Sequence, residues 1–399
     1  MRRAAIVAPV RTPVGTFGGT LKDVAVEDLA ALVVREVIGR SGIDPEVVED
    51  VVLAQSYANS ETPCVGRWVA LHAGLPLTVP GLQIDRRCGG GLQAVVTAAM
   101  MVQTGAADVV IAGGVESMSR IEHYSTDIRW GRRNGAAVLY DRLDRGRQRA
   151  QPEDRFGPIS GMVETADSLA AQYGVTRKAA DEFAVESHRR AAAAWHAGHF
   201  DHEVVPVLVA QRRGPDVIFG VDEGVRASST LDNLERLPAL RPPNGVVTAG
   251  NSCQQNDAAS ACIVVGEDKL NQLGLEPVGF LLDWAAVGCD PAIMGIGPVP
   301  AIRKVLSRTG MHLEQFDLVE INEAFACQVL AVLEELKWDD RDRLNVNGSG
   351  ISLGHPIAAT GVRIMTSLLY ELRRRGARYG LEAMCIGGGQ GMAAVFEAA

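Results

Sequence analysis

Two stretches of the chain carry the same spacing of hydrophobic and polar residues. VVREVIGRSGIDPE begins at Val33 and aligns without gaps with AIRKVLSRTGMHLE, which begins at Ala301. Each stretch predicts an amphipathic helix, and a glycine at the tenth position of each, Gly42 and Gly310, predicts the C-cap of that helix. A short apolar run rich in β-branched residues comes next, DVVLAQ from Asp50 and DLVEIN from Asp317, and each run predicts a buried strand. The order of helix and then strand therefore occurs twice.

The similarity continues more weakly through a second helix and strand. CGGGLQAVVTAAMMVQTGAADVVIAGG, from Cys88, resembles HPIAATGVRIMTSLLYELRRRGARYGLEAMCIGG, from His355, as a turn, a helix, a linker, a strand and a glycine turn. The chain is therefore predicted to be a duplicated α/β unit. Residues 1–120 form one copy and residues 275–399 form the other.

The segment between the two copies has a different composition. Residues 121–249 contain an arginine-rich stretch, one clear helical segment (TRKAADEFAVESHRRAAAAWHAG) and Pro/Gly-rich stretches such as LRPPNG. This composition is typical of a loop domain or lid. Residues 250–274 include ASACIVVG, which predicts a strand that returns to the sheet of the first copy.

Length and charge restrict the class of protein. At 399 residues the chain exceeds the roughly 250–300 residues at which one hydrophobic core stops growing. No apolar run reaches the roughly 18 residues of a membrane-spanning helix, and MRRAAIVAPV lacks a long signal-peptide core, so we expect a cytoplasmic protein that does not enter a membrane. The net charge of −9 argues against a general nucleic-acid binder. Arginines outnumber acidic residues between Arg120 and Arg155, which indicates either a solvated loop or a surface for an anionic ligand or a neighbouring subunit.

The cysteines point to chemistry at two positions of the repeat. Seven cysteines, an odd number without CxxC spacing, argue against a disulfide framework and against a zinc site. Most are expected to be small buried residues. Cys88 differs because it lies between a predicted strand and a predicted helix, where the helix N-terminus favours a thiolate and lowers a pKa that is ordinarily about 8.5. His355 occupies the equivalent position in the second copy, so the two side chains are expected to face a common cleft.

Cys385 lies in a third chemically informative segment. It follows the strand LEAM and enters GGGQG, which places it at the carboxyl edge of a sheet, where ligands of α/β folds bind. The glycines allow backbone N–H groups to approach an oxyanion, whereas their spacing is not that of a dinucleotide fingerprint and no Walker A motif occurs. Two cysteines and a histidine at such turns suggest acyl transfer through a thioester. One thiolate accepts the acyl group and the other thiol acts as general acid and base.

Four segments of the chain carry a resemblance to a known family. DRRCGGGLQAV, DLVEINEAFA, NVNGSGISLGHPIAATG and CIGGGQGMA resemble the signature motifs of the thiolases, occur in the family's order, and lie in a match that runs from the first strand to the last residues. The resemblance implies an α/β fold with the duplicated halves in αβαβα layers and an inserted loop domain. It also implies a ping-pong acyl-CoA C-acyltransferase that condenses acetyl-CoA or cleaves a 3-ketoacyl-CoA. Coenzyme A is then a substrate, and neither a cofactor nor a metal is expected.

The resemblance also implies a role for each catalytic residue. Cys88 matches the nucleophile, and His355 matches the histidine that activates it and helps to bind the thioester oxygen. Asn322 matches the asparagine that holds a water in the oxyanion site of the condensation step. Cys385 matches the cysteine that moves a proton to or from the substrate carbon. Gly387 matches the glycine whose N–H forms the other oxyanion hole together with the N–H of Cys88.

Coenzyme A binding is expected to fall mainly to the loop domain. Arg226 matches an arginine that lies against the adenine, and Met162 and Ala249 fall near pocket-lining positions. Cys253 stands where many members have a serine that contacts the pantetheine. Phe325 of the NEAF motif completes the expected binding set.

Departures from the family pattern leave the acyl chain open. Gly161 stands where biosynthetic members have a histidine, and Ser349 stands where a second glycine is common, so an enzyme for longer or bulky acyl chains is an alternative. A Cys–His hydrolase, a decarboxylating ketosynthase and a non-catalytic acyl-CoA-binding member of the fold are further alternatives. The first has no need of Cys385, the second uses two histidines, and the third would be expected to have lost Cys88 or His355. The resemblance also implies a homodimer or a homotetramer, in which the arginine-rich loop joins subunits.

Overall fold

The computed structural model describes residues 2–399, and most of its strands belong to one hydrogen-bonded sheet. The strands are β1 (Ala4–Arg11), β2 (Gly15–Thr16), β3 (Asp50–Ala54), β4 (Leu82–Ile84), β5 (Val109–Ser117), β6 (His123–Tyr124), β7 (Tyr140–Asp141), β8 (Val207–Val209), β9 (Val217–Phe219), β10 (Asn256–Gly266), β11 (Pro277–Gly288), β12 (Leu318–Ile321), β13 (Tyr379–Ile386) and β14 (Gln390–Ala398). The order in the large sheet is β12-β13-β14-β11-β1-β10-β5-β3-β4, with β2 paired to β10.

The helices lie on both sides of this sheet and in the segment between its halves. They are α1 (Val26–Ser41), α2 (Val65–His72), α3 (Gly90–Thr104), α4 (Arg142–Gln148), α5 (Glu153–Phe156), α6 (Met162–Tyr173), α7 (Arg177–His196), α8 (Leu231–Glu235), α9 (Leu270–Leu273), α10 (Pro298–Thr309), α11 (Ala326–Leu336) and α12 (Thr360–Arg375). None of the helices within residues 2–399 combines the length and the apolar character needed to cross a membrane.

The predicted repeat is present in the structure. Helices α1 and α10 end at Gly42 and Gly310, which both have a φ of 68°. This left-handed conformation suits glycine because a Cβ would be strained there, so the predicted glycine C-caps are confirmed. The strand after each helix then pairs in parallel with the strand of the next α/β unit, β3 with β5 and β12 with β13. Strand β10 pairs with β1 and β5, which confirms the predicted return to the first sheet.

Apolar side chains form three large cores that alternate with the strands. One lies between α1 and α2 and the strands of the first half, one surrounds α3 and α12, and one lies between α10 and α11 and the strands of the second half. The five layers are therefore αβαβα, as expected. The strands of the two halves are joined in one hydrogen-bonded sheet, because the first residues of the long strand β11 also pair with β1, where Ala4 lies opposite Leu281.

Buried charges attach the inserted segment to the first strand. The guanidinium of Arg11, at the end of β1, contacts Glu203 at 2.6 Å and Asp222 at 2.7 Å, and all three side chains are buried. A buried ion pair is costly to break because one charge would be left without a partner. The insert is thus held against the layer that carries the strands of the first half.

Candidate active site

Two glycines bring the segments of Cys88 and His355 together. Cys88 lies in a 3-10 turn directly before α3, and His355 lies shortly before the 3-10 turn that leads into α12. The backbones of these two helices nearly touch. A Cβ on Gly361 would lie 2.3 Å from the nitrogen of Leu92, and a Cβ on Gly91 would meet the opposite backbone at 2.7 Å. Only glycine permits so close an approach, which places the two helix N-termini side by side.

A cavity of about 420 Å³ lies at this meeting point. Cys88, His355, Cys385 and Gly387 all line it, although they come from three distant parts of the sequence. The common cleft predicted from the repeat is therefore present. Asn322 lies outside the lining, and its fully buried side chain contacts His355 from behind.

The residues expected to bind coenzyme A divide into two groups. Met162, Cys253 and Phe325 line the cavity. Arg226 and Ala249 do not line it, so their contact with coenzyme A stays a prediction.

The environment of Cys88 differs from the expectation. Burial raises the pKa of the Cys88 thiol, although the N–H of Gly387 and the charge of Arg87 act in the opposite direction. The prediction of a lowered pKa was therefore wrong for the free protein. The physical reason is that the free-energy cost of removing a thiolate from water exceeds the stabilisation that the helix N-terminus and the N–H groups give to the thiolate. A neutral thiol is the resting form.

His355 is held in a fixed orientation. Its backbone N–H donates to Oδ1 of Asn256 at 2.8 Å, and its Nδ1 lies 2.7 Å from Oγ1 of Thr360 and 3.4 Å from Nδ2 of Asn322. Burial lowers the pKa of His355 to about 3, and the charge of Arg363 acts in the same direction. The imidazole is therefore neutral at rest, and with Nδ1 engaged, Nε2 is the ring nitrogen left for chemistry in the cavity.

Cys385 lies near the end of strand β13, at the wall of the same cavity. It is 1% exposed, and burial raises its pKa well above the ordinary value. The neighbouring thiols of Cys88, Cys253 and Cys289 shift the pKa in the same direction, because a second negative charge would repel a first. Cys385 thus carries a proton at rest.

Sequence reasoning missed a buried carboxyl group beside the site. Glu116 accepts hydrogen bonds from the backbone N–H groups of Ser56 at 3.2 Å, Tyr57 at 3.1 Å and Ala358 at 3.3 Å. Burial raises the pKa of Glu116 to about 7. It connects the loop after β3 to the turn before α12, next to His355. A glutamate within the apolar strand VVIAGGVES was the available signal.

Other wall residues had no signal in the sequence. They come from many separate segments and converge only in the folded chain: Tyr57, Arg87, Met118, Leu240, Arg241, Met294 and Ile357. Asn256, which fixes His355, was missed for the same reason. Within residues 2–399, no group of three or more His, Cys, Asp or Glu side chains is placed to hold a metal ion.

The arrangement defines a class of enzyme. A thiol with an adjacent imidazole supplies a nucleophile and a base, a second thiol supplies a proton, and an N–H directed at the first sulfur can stabilise an oxyanion. These are the parts of an acyltransferase that works through a thioester. Residues 4–268 match the model of the thiolase N-terminal domain, and residues 275–398 match that of the thiolase C-terminal domain. The chain belongs to the thiolase family.

Individual relatives agree with this assignment. The chain is 44% identical to an acetyl-CoA acetyltransferase of Chromobacterium violaceum over 98% of its own length and 99% of the relative's length. It is similar to the crystal structure of the Bacillus anthracis acetyl-CoA acetyltransferase, with a TM-score of 0.95, 43% identity and coverage of 100% and 99% of the two chains. It is also similar to the human mitochondrial 3-ketoacyl-CoA thiolase in complex with CoA, with a TM-score of 0.93, 37% identity and coverage of 100% and 98%. The predicted function of a thiolase-type acyl-CoA C-acyltransferase is confirmed.

Proposed function

We propose that the enzyme interconverts a 3-ketoacyl-CoA plus coenzyme A with acetyl-CoA plus a shorter acyl-CoA, through an acyl thioester on Cys88. The observation that carries the proposal is the single cavity lined by Cys88, His355, Cys385 and Gly387. The names of the acetyltransferase relatives and the CoA complex of the 3-ketoacyl-CoA thiolase support these substrates. Coenzyme A acts as a substrate, and none of the steps calls for a metal or another cofactor.

The first half of cleavage forms the acyl-enzyme. The sulfur of Cys88 attacks the 3-keto carbon while its proton passes to Nε2 of His355. The negative charge on the keto oxygen is stabilised by the N–H groups of Cys88 and Gly387. The C2–C3 bond then breaks, its electron pair stays on C2, and Cys385 donates a proton to that carbon to give acetyl-CoA. The proton on His355 afterwards passes to the thiolate of Cys385, which restores both groups.

The second half releases the acyl group. The sulfur of a new coenzyme A attacks the thioester carbon, and its proton passes to Nε2 of His355. When the C–S bond to Cys88 breaks, that proton returns to the Cys88 sulfur and the shorter acyl-CoA leaves. Every step is reversible, so the same groups perform condensation when acetyl-CoA is abundant.

The resting protonation states fit this sequence. Burial raises the pKa of both Cys88 and Cys385 and lowers that of His355, so all three are neutral before substrate binds. Negative charge therefore develops on the substrate oxygen only during the reaction. The N–H donors of Cys88 and Gly387 are in position before this happens, and donors fixed in advance stabilise such a charge most effectively. Asn322 is proposed to hold a water that binds the enolate oxygen, because its buried Oδ1 has no partner among residues 2–399.

Coenzyme A is proposed to enter along the wall supplied by the insert. Met162, Cys253 and Phe325 line the inner cavity, and Arg147 and Arg241 lie in the same wall. Arg226 and Ala249 are proposed to meet the outer part of the coenzyme, as the family resemblance implies.

We also propose a homodimer or homotetramer in the cytoplasm. The loop of the insert exposes large apolar side chains, Ile128, Trp130 and Leu139, and Trp130 is 94% exposed. Exposed apolar groups of this size favour contact with a partner. All seven cysteines are free thiols, which suits a reducing compartment.

Thiolysis of acetoacetyl-CoA tests the function. The wild-type enzyme should consume acetoacetyl-CoA only when free coenzyme A is present, and the Cys88→Ala variant should lose at least about a thousandfold in rate. Cys64→Ala, which removes an exposed thiol outside the cavity, serves as the control and should keep full activity. Loss of acetoacetyl-CoA with water as the acceptor would instead favour the Cys–His hydrolase.

A further inference from the structure

A second cavity adjoins the catalytic one. It has a volume of about 540 Å³ and shares Tyr57 and Arg87 with the wall of the catalytic cavity. Helix α4 and the residue after it supply further arginines, Arg142, Arg145 and Arg149. The arginine-rich segment of the sequence therefore lines a cavity whose wall also includes Arg87, the residue directly before Cys88.

The positive charge around the two cavities is only partly balanced. Each carboxylate in their walls is paired with an arginine: Glu122 with Arg142 at 3.0 Å, Asp144 with Arg147 at 3.5 Å and Glu164 with Arg241 at 3.5 Å. Glu116, which contacts the Tyr57 backbone, already accepts three backbone N–H groups. Within residues 2–399, Arg87, Arg145 and Arg149 have no carboxylate partner. The space between them favours an anion.

Arg87 connects this space to the acyl site. It directly precedes Cys88 and has a φ of 46°, a left-handed conformation that a residue with a long side chain rarely adopts. Its stem passes the oxyanion site, since a Cβ on Gly387 would lie 3.7 Å from Cδ of Arg87. Its Nη2 donates to the carbonyl oxygen of Gly146 in α4 at 3.3 Å. The guanidinium has no carboxylate partner among residues 2–399, so it is free to meet an anionic group at the end of an acyl chain that extends from Cys88 along this stem.

We propose that the enzyme accepts 3-oxoacyl-CoA esters whose acyl chain ends in a carboxylate, and that Arg87, together with Arg145 and Arg149, binds that carboxylate. This inference rests on the proposed function and names its substrate class. A guanidinium matches a carboxylate with two parallel hydrogen bonds, so the terminal group supplies both the missing charge and the geometry. Cleavage gives acetyl-CoA and the CoA thioester of a dicarboxylic acid that is two carbons shorter. The bonds made and broken are those of the proposed function, and no oxidant or reductant is needed.

Matched substrate pairs test the inference. Each pair has the same chain length and differs only at the end: the CoA esters of 3-oxohexanoate and 3-oxohexanedioate, and those of 3-oxooctanoate and 3-oxooctanedioate. We expect the wild-type enzyme to prefer the carboxylate member of at least one pair by about tenfold or more in kcat/KM. Arg87→Gln should lower this preference about tenfold or more, Arg87→Lys should retain part of it, and Arg145→Gln with Arg149→Gln should lower it as well. Arg213→Gln removes an exposed, unpaired arginine of the insert outside both cavities and should leave the preference unchanged.

The outcomes separate this inference from the proposed function. If the methyl-ended esters are cleaved and the carboxylate-ended esters are not, the inference is overturned and the thiolase activity stands. If no ester of either kind is cleaved, and acetoacetyl-CoA is also untouched, the proposed function fails. If the arginine variants raise the KM of coenzyme A above the wild-type value equally with both members of a pair, the arginines bind the phosphates of the coenzyme and the inference is overturned. Loss of the native oligomer in the arginine variants, measured by light scattering, would assign them to a neighbouring subunit and also overturn it.

Discussion

The variant Cys385→Ser should separate carbon–carbon chemistry from acyl transfer to Cys88. The change replaces a sulfur by a smaller oxygen in a side chain that is 1% exposed and packs in an apolar cluster with Met294, Phe325 and Cys327. A buried hydroxyl without a partner costs about 1–3 kcal/mol. A domain with the usual stability of about 5–15 kcal/mol tolerates this loss, so the variant should fold.

The expected rate effect follows from the proton that Cys385 supplies. A serine hydroxyl is a much weaker acid than a thiol, and loss of a general acid typically costs about 10²–10⁴-fold in rate. Acetoacetyl-CoA thiolysis should fall by a factor in this range, because C2 must gain a proton. Exchange of labelled coenzyme A with acetyl-CoA needs only Cys88, His355 and the oxyanion donors, so it should fall by less than about tenfold.

The two reactions are measured on the same preparation. Cys262→Ser is the matched control, because Cys262 is fully buried in β10 and lies outside the cavity. It reports the cost of a buried hydroxyl alone and should lower both reactions equally and slightly. Equal losses of exchange and thiolysis in Cys385→Ser would mean that Cys385 helps to build the site, and its role in proton transfer would have to be withdrawn.

Three further predictions use the groups around the site. Asn256→Ala removes the acceptor of the His355 N–H at 2.8 Å and should lower the free energy of unfolding by about 1–3 kcal/mol, together with the exchange rate, in urea titrations and exchange assays. Because burial raises the pKa of Cys88, its alkylation by iodoacetamide should keep accelerating as the pH rises past about 8.5, and a rate that is already constant at neutral pH would contradict this. Burial raises the pKa of Glu116 from 4.5 to about 7, so between these pH values the folded protein holds a proton on Glu116 that the unfolded chain has lost. The protonated carboxyl group therefore stabilises the folded state fully below pH 4.5, and this contribution is lost as the pH rises through 7. Glu116→Gln should therefore flatten the fall in unfolding free energy between these pH values by up to about 3 kcal/mol, and an unchanged pH slope would argue against the shift.

The repeat could be predicted because its signals are local, whereas its αβαβα layers were implied by the family resemblance. The glycines at 42 and 310 stop two helices that show the same apolar spacing, and each helix is followed by a β-branched run. Cys88, His355 and Cys385 could be placed for the same reason, since each stands at the end of a strand or the start of a helix. Once two copies of one unit are recognised, equivalent ends are expected to meet.

The remaining properties of the site depend on atoms that are distant in sequence. Whether the pKa of Cys88 rises or falls depends on how much water its surroundings exclude, and no motif encodes that balance. The wall between the two cavities combines Tyr57 with Arg87 and α4, which come together only through the packing of the insert. The division of the chain at residues 120, 249 and 274 and the individual catalytic roles stay predictions for experiments of the kind described above.

The most direct measurement of the central claim is the location of the acyl group. Three thiols, Cys88, Cys253 and Cys385, line the same cavity, so the intact mass of the acetylated protein alone does not distinguish them. After incubation with acetyl-CoA and digestion at low pH, mass spectrometry should find one acetyl group, on the peptide of Cys88, and none on the peptides of Cys253 and Cys385. The Cys88→Ala protein should carry no acetyl group. An acetyl adduct of undiminished yield on the Cys88→Ala protein would contradict Cys88 as the nucleophile and with it the proposed reaction sequence.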